Sequence, residues 1–427
     1  MLDKYQQNGS KVLLYLDTRE LPLERKQEIA AAKQQGYKIL MATPTPRAYD
    51  AYCLDYVLDV NVGNFAEAEP VILDYIATHK LNVTGILVWK DREVVLASKL
   101  GQALGLPHTT PEHAENVRDK SKTRALLEKF PGLNPRFSVV RDEASFMSGL
   151  AEVGVPAVLK QAGNSGSRGM CVITDLETAL DKYREVVAVN KQQAGDMYHY
   201  YEDIMLLEQR LTGSEHSLAG VVADGEVITF TIADKKFDTS LPLQYENVVP
   251  SKLAVDLQTE IVAQLKQAVA ETGINWCGFH VDFMITEAGL KILEIGGRLG
   301  GEMINSHLIP LTLPGVSSYA ALIEVVQGNN PLAHTDYTQL AHSRAASRVV
   351  MPTAKGVISK IEGVQNVIKD PRCREFMQTW GVGDEMVYPD VKFKGYEIGY
   401  FIAQVGLDDD IEQAIEALNN KITITIE

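Results

Sequence analysis

Cysteine is scarce in this chain. Cys53, Cys171, Cys277 and Cys373 lie far apart with no CxxC pair, so reduced, structural thiols of a cytoplasmic protein are expected. No run of about 18 apolar residues occurs, which argues against a membrane span. The segment Met1 to Asn8 has no apolar core of the signal-peptide kind. Positive charge is in deficit: 41 Lys and Arg stand against 56 Asp and Glu, a net −15. That balance argues against a nucleic-acid surface and leaves room for a local basic pocket. Internal repeats and low-complexity segments are absent. The fingerprint GxGxxG is missing after the first apolar run, where Asp17-Thr18-Arg19-Glu20 stands, so dinucleotide binding is not expected there.

What remains is an ordinary globular composition, 45% hydrophobic and 23% charged, over 427 residues, enough for two to four domains. Strands at about 11–16, 37–42, 56–60 and 85–89, with helices at about 22–35 and 66–79, predict a doubly wound α/β domain ending near Pro111. A helix opens at Asp119-Lys120. Beyond it a strand ends in Lys160, followed by Gly163-Asn164-Ser165-Gly166-Ser167-Arg168-Gly169 and the apolar strand Met170–Ile173. Backbone N–H groups of such a loop can wrap a polyphosphate. It is not a P-loop, because the Lys precedes the glycines and a strand follows. Residues 204–222 read as two strands, and Asp224-Gly225 turns into a third. The stretch from Ala233 to Pro250 reads as a loop of little periodicity. A helix spans about 253–272, and another about 317–327. Short strands and turns fill the rest, with a helix near 410–420 and a last strand at 422–426.

The most informative stretch is Gly278 to Gly301. Phe279, Val281, Phe283 and Ile285 alternate with His280, Asp282 and Met284, the period of a half-buried strand. Glu287-Ala288-Gly289 suits a three-residue hairpin loop, which sets residue 282 opposite 294 and residue 280 opposite 296. Two carboxylates facing one another need a cation between them. With the Gly-rich run Gly296-Gly297-Arg298-Leu299-Gly300-Gly301 behind them, they suggest a magnesium and phosphate site.

Taken in order, these parts resemble the ATP-grasp superfamily of carboxylate–amine ligases over nearly the whole chain. Within it, the Arg-Leu-Gly-Gly run and the C-terminal piece look most like the L-amino-acid ligase group, the dipeptide synthetases that include bacilysin-, dapdiamide- and carnosine-forming ligases. The resemblance implies an ATP-grasp fold of mixed α/β and α+β domains. Residues 1–112 would form the N-terminal α/β domain and 113–210 the small ATP-binding lobe. Residues 211–338 would form the large lobe with the metal site, and 339–427 a C-terminal β-rich α+β domain. Lys120 and Lys160 match the ATP lysines, and Ser165, Gly166 and Ser167 lie in the phosphate loop. Glu208, Gln209 and Leu211 match the adenine hinge, and Glu215 the ribose-binding glutamate. Asp282 and Glu294 match the metal carboxylates, and Arg298 the arginine that steadies the acylphosphate.

The expected reaction joins an amino acid carboxylate to the amine of a second amino acid, with ATP and Mg2+ (or Mn2+) as cofactors. A homodimer is expected, since members are often dimers; nucleic acid and membrane partners are not. Lys160 and Arg298 are the expected catalytic residues. One departure stands out: where the family often has Asn two residues after the second metal acid, this chain has Gly296. His280, opposite it, is a candidate to occupy that space and contact phosphate. Glu302 is a candidate for a substrate ammonium group, and residues 235–248 and 305–311 for side-chain selection. A biotin-carboxylase-like or purine-pathway enzyme, or a non-catalytic nucleotide-binding protein, stays open as an alternative.

Overall fold

Five consecutive apolar residues form the first strand, β1 (Val12–Leu16), and none is more than 1% exposed. That is the pattern of a parallel strand covered on both faces. In this computed structural model, which describes residues 9–163, 169–192, 201, 204–238, 243–337, 341–352, 354–386 and 397–427, β1 is joined by β2 (Lys38–Thr43), β3 (Tyr56–Asp59) and β4 (Val83–Val88). The four are parallel in the order β3-β2-β1-β4. The order reverses between β1 and β4, so a crevice opens where their carboxyl ends diverge. The residues beyond those ends, Asp17 to Arg19 and Lys90 to Glu93, therefore face the rest of the chain.

A second sheet holds β5 (Phe137–Val140), β6 (Ala157–Gln161), β7 (Met170–Ile173) and β8 (Met205–Gln209) in the order β5-β8-β6-β7. A third, of eight strands, contains β9 (Ser214–Ala223), β10 (Glu226–Phe237), β11 (Gln244–Val249), β12 (Cys277–Thr286) and β13 (Gly289–Gly296). It continues through β14 (Ser343–Val350). A small sheet takes β15 (Gly356–Glu362), β17 (Glu385–Met386) and β19 (Thr423–Ile426), while β16 (Cys373–Gln378) and β18 (Gly399–Gly406) close the large one. Three strands after residue 340, β14, β16 and β18, thus extend the sheet that carries the carboxylate hairpin. One apolar cluster runs from Leu13 and Trp89 through Val221 and Leu299 to Ile402, fusing the parallel sheet to the large one.

Two sequence expectations are corrected. The stretch 233–250 is not a featureless loop: β10 runs on to Phe237 and β11 follows from Gln244. Asp234, Lys235 and Lys236 break the apolar alternation there because each has a partner on a neighbouring element. The hairpin turn is also tighter than read. Thr286 pairs with Gly289, and a register shift between Asp282 and Phe283 restores the offset, so His280 still faces Gly296 and Asp282 still faces Glu294. Gly289 takes a φ of 90°, the left-handed conformation glycine permits. The helices Val94–Leu104, Pro111–Arg118, Glu143–Val153 and Ala179–Gln192 carried no reading in the sequence. Among the described residues, no helix is long and apolar enough to cross a membrane.

Candidate active site

Asp282 and Glu294 are direct partners across β12 and β13, and each carries a lysine. Lys235 Nζ, from β10, lies 3.1 Å from Asp282 Oδ2, and Lys120 Nζ lies 3.3 Å from Glu294 Oε1. Burial raises the Asp282 carboxyl, but Lys235 and His280 outweigh it and hold the group below its ordinary value. Its Oδ1 is buried without a hydrogen-bond partner. Such an oxygen, on a residue paired across the strands with a second carboxylate, fits a hard divalent cation. Among the described residues, no group of three or more His, Cys, Asp or Glu converges as a metal site. Magnesium needs no such cage, because one or two carboxylates with substrate phosphates suffice.

Lys120 opens the helix Lys120–Leu127, whose N-cap Asp119 accepts from Ser121 N at 2.9 Å. The Lys120 backbone N–H donates to the Ala162 carbonyl at 3.1 Å, tying the helix start to the end of β6. Lys160 Nζ and Arg124 Nε each lie 2.7 Å from one oxygen of Glu208. Burial works to raise the Glu208 carboxyl, yet Arg124 and Lys160 hold it at about 2. The Lys160 ammonium is lowered, by burial first and then by Arg124 and Lys120, against the pull of Glu208. The Glu208 side chain on β8 is thus engaged by two cations. Gln209 ends that strand with its N–H on the Arg136 carbonyl at 2.8 Å, and half-buried Leu211 follows in the link to β9. Ser165, Gly166 and Ser167 lie outside the described residues.

Glu215, on β9 beside β12, is 3.5 Å from Lys235 Nζ. Burial, with Asp282 and Glu302 nearby, pushes its carboxyl up to about 7 in spite of Lys235. Lys235 therefore joins the expected ribose glutamate to the expected metal aspartate.

The Gly-rich run after β13 is held by side chains from several directions. Arg298 forms a two-pronged ion pair with Asp91, Nε to Oδ1 at 3.1 Å and Nη2 to Oδ2 at 2.5 Å. Asp91 follows β4 and is only 4% exposed; burial would raise its carboxyl, but Arg298, His280 and Arg118 drive it far down. The His280 ring fills the space at Gly296, where an added Cβ would come within 2.6 Å of Nδ1. Its Nδ1 is 3.0 Å from the Arg298 carbonyl, so the proton sits on Nδ1. Burial and then Arg298 lower the imidazole, which favours the neutral ring. Glu302 stands at a φ of 61° and accepts from Gln244 Nε2, which also donates to Asn247 Oδ1 at 2.5 Å. Ser347 Oγ donates to the Glu302 carbonyl at 3.2 Å.

The structure thus brings Lys120, Lys160, Glu208, Glu215, Asp282 and Glu294 into one connected set. Arg298, His280 and Glu302 stand on the run just beyond. Sequence reading missed Arg124, which lies four residues after Lys120 and hence on the same helix face, a usable signal. It also missed Asp91, which only the fold brings to Arg298.

Residues 153–306 match the family described as an ATP-grasp domain. The chain is 23% identical to carnosine synthase 1 of Mus musculus, over 82% of this chain and 42% of that one. It is 28% identical to the alanine–anticapsin ligase of Bacillus subtilis (strain 168), over 48% of this chain and 46% of the ligase. The match spans less than half the length of either relative. Among solved structures, the L-amino acid ligase from Bacillus licheniformis superposes with a TM-score of 0.83 at 18% identity, covering 99% of this chain and 100% of that one. The chain contains an ATP-grasp domain at residues 153–306, and its fold is the ATP-grasp fold.

Proposed function

We propose that this protein is an ATP-dependent carboxylate–amine ligase that joins two amino acids, or amino acid derivatives, into a dipeptide-like amide. The observation that carries the reading is the facing pair Asp282 and Glu294, with Lys120 on one acid and the Lys160–Glu208–Arg124 cluster beside it. Similarity to dipeptide-forming relatives supports the same reading.

In this scheme a substrate carboxylate attacks the γ-phosphate of ATP, giving an acylphosphate and ADP. The amine of the second substrate then attacks the acyl carbon, and phosphate leaves with its bonding electrons as the amine loses a proton. Lys120 and Lys160 would neutralise phosphate charge from the small lobe, and Ser165 to Ser167 would supply backbone donors. Gln209 and Leu211 would meet the adenine edge and Glu215 the ribose. Magnesium, when bound to Asp282 and Glu294, supplies further neutralisation of the phosphates. Arg298 would steady the acylphosphate and the oxyanion of the tetrahedral intermediate, and Glu302 the ammonium group of an amino acid. His280, whose Nδ1 bonds the Arg298 carbonyl, would contact phosphate beside that turn. The division at residues 112, 210 and 338, a homodimer and a cytoplasmic location belong to the same proposal.

Phosphate release from ATP, screened over pairs of the twenty amino acids plus β-alanine and diaminopropionate derivatives, tests it. Release that requires two amino acids is the expected result. Release with bicarbonate alone would move the protein to the carboxylase-like class, and none with any pair would leave a nucleotide-binding protein without turnover.

A further inference from the structure

Arg19 stands three residues past the end of β1, in the Asp17-Thr18-Arg19-Glu20 segment that holds no phosphate fingerprint. Arg19 is 7% exposed, and its guanidinium reaches across to the Gly-rich run. Nη2 donates to the carbonyls of Leu299 at 2.5 Å and Gly300 at 3.0 Å, the two residues directly after Arg298. Nη1 is taken by Glu28 Oε1 at 2.6 Å and lies 3.3 Å from the Tyr319 hydroxyl, and the Arg19 backbone N–H donates to Glu28 Oε2 at 3.1 Å. Nε faces Glu24 Oε1 at 4.0 Å, and that same oxygen accepts the N–H of Met303 at 3.1 Å.

The run itself is bent in a way only its surroundings sustain. Glu302 and Met303 are consecutive non-glycine residues at φ 61° and 66°. Such conformations are unfavourable for residues with a Cβ and persist where neighbours over-determine them. A Cβ added at Gly301 would lie 3.3 Å from Arg19 Nε and 3.6 Å from its Cδ, so the last glycine of Arg-Leu-Gly-Gly gives room to this guanidinium. One planar guanidinium thus holds the two carbonyls through Nη2, Glu28 through Nη1 and Glu24 through Nε, a combination the single nitrogen of lysine cannot copy.

We infer that Arg19 is a positioning residue, which sets the backbone of residues 299–303 and through it the placement of Arg298 and Glu302. The inference rests on the ligase reading for what that placement does. Misplacing a group by about 1 Å can cost on the order of 100-fold in rate. Arg19→Lys and Arg19→Gln are expected to lower kcat for amino-acid-dependent ADP formation about 10- to 100-fold. MgADP affinity by calorimetry and KM for ATP should stay at the unsubstituted values, with Lys the milder change. Gly301→Ala, which presses on Arg19 from the other side, should give the same signature if the Arg19 variants fold poorly. Unchanged kcat, or MgADP affinity and melting temperature falling in step with kcat, would overturn it. The Nε–Hε resonance of Arg298, assigned with Arg298→Lys, reads the placement without turnover. It should move in Arg19→Lys, and an unmoved resonance overturns the inference. If the unsubstituted protein shows no amino-acid-dependent turnover, only the ligase reading fails, and this resonance still decides the role of Arg19.

Discussion

Glu208 joins the helix that begins at Lys120 to the strand that carries Lys160 through one carboxylate. Arg124 and Lys160 both spend a charge on it in a site with little water. Removing one partner of a buried ion pair leaves the other uncompensated, which costs about 3–5 kcal/mol. Glu208→Gln is therefore expected to lower the melting temperature sharply, and Glu208→Met with Arg124→Met to recover part of the loss, as a thermal double-mutant cycle would record. The pH dependence has a definite sign. The folded carboxyl sits at about 2 against an ordinary 4.5. Its stabilisation is full above 4.5 and is lost as pH falls from there through 2. Urea midpoints between pH 6 and pH 2 should drop more steeply in the unsubstituted protein than in the double variant. Arg124 was legible in principle, by its four-residue spacing from Lys120. Lys235 was harder to read, because a lone strand lysine is uninformative until Asp282 and Glu215 are seen beside it.

On the scale of elements, the β12–β13 hairpin sets Asp282 opposite Glu294, and Gly296 is its most constrained position. The His280 ring occupies the volume a side chain at 296 would need. Gly296→Asn, which restores the residue common in the resembling family, should overpack the hairpin and destabilise the protein by about 1–3 kcal/mol. Adding His280→Ala should restore most of that loss. Equal melting temperatures for the single and double variants would show that the two residues do not compete. Alternation in β12 was readable because every second residue faces the core. The course of β10 was not, because its charged end is satisfied by partners that only the sheet supplies. The expected loop of three residues became a shorter turn with a compensating shift, and the carboxylates faced each other all the same.

Across the whole molecule, the N-terminal domain and the large sheet meet at the Gly-rich run. Asp91 grips Arg298, Arg19 grips the two carbonyls beyond it, and Glu24 takes the N–H of Met303. Asp91→Ala leaves a buried guanidinium with its partner removed. It should lower the melting temperature and raise protease susceptibility in the 298–303 segment, measured by limited proteolysis with mass spectrometry. Metal removal should behave differently. Because Lys235 and Lys120 already offset Asp282 and Glu294, chelation with EDTA is expected to abolish ADP formation and leave the melting temperature unchanged. A large melting shift on chelation would mean that the cation is part of the fold.

By itself the sequence determined much of the alternation of strands and helices, and the facing carboxylates. These depend on local periodicity, turn chemistry and spacing, which a chain carries wherever it folds. Only the tertiary structure decided which charges meet. Asp91 reaches Arg298 across 207 residues and Arg19 reaches Leu299 across 280. Ion pairs and carbonyl contacts at such separations leave no periodic trace, since any charged residue at a strand end looks the same until the opposing surface is known.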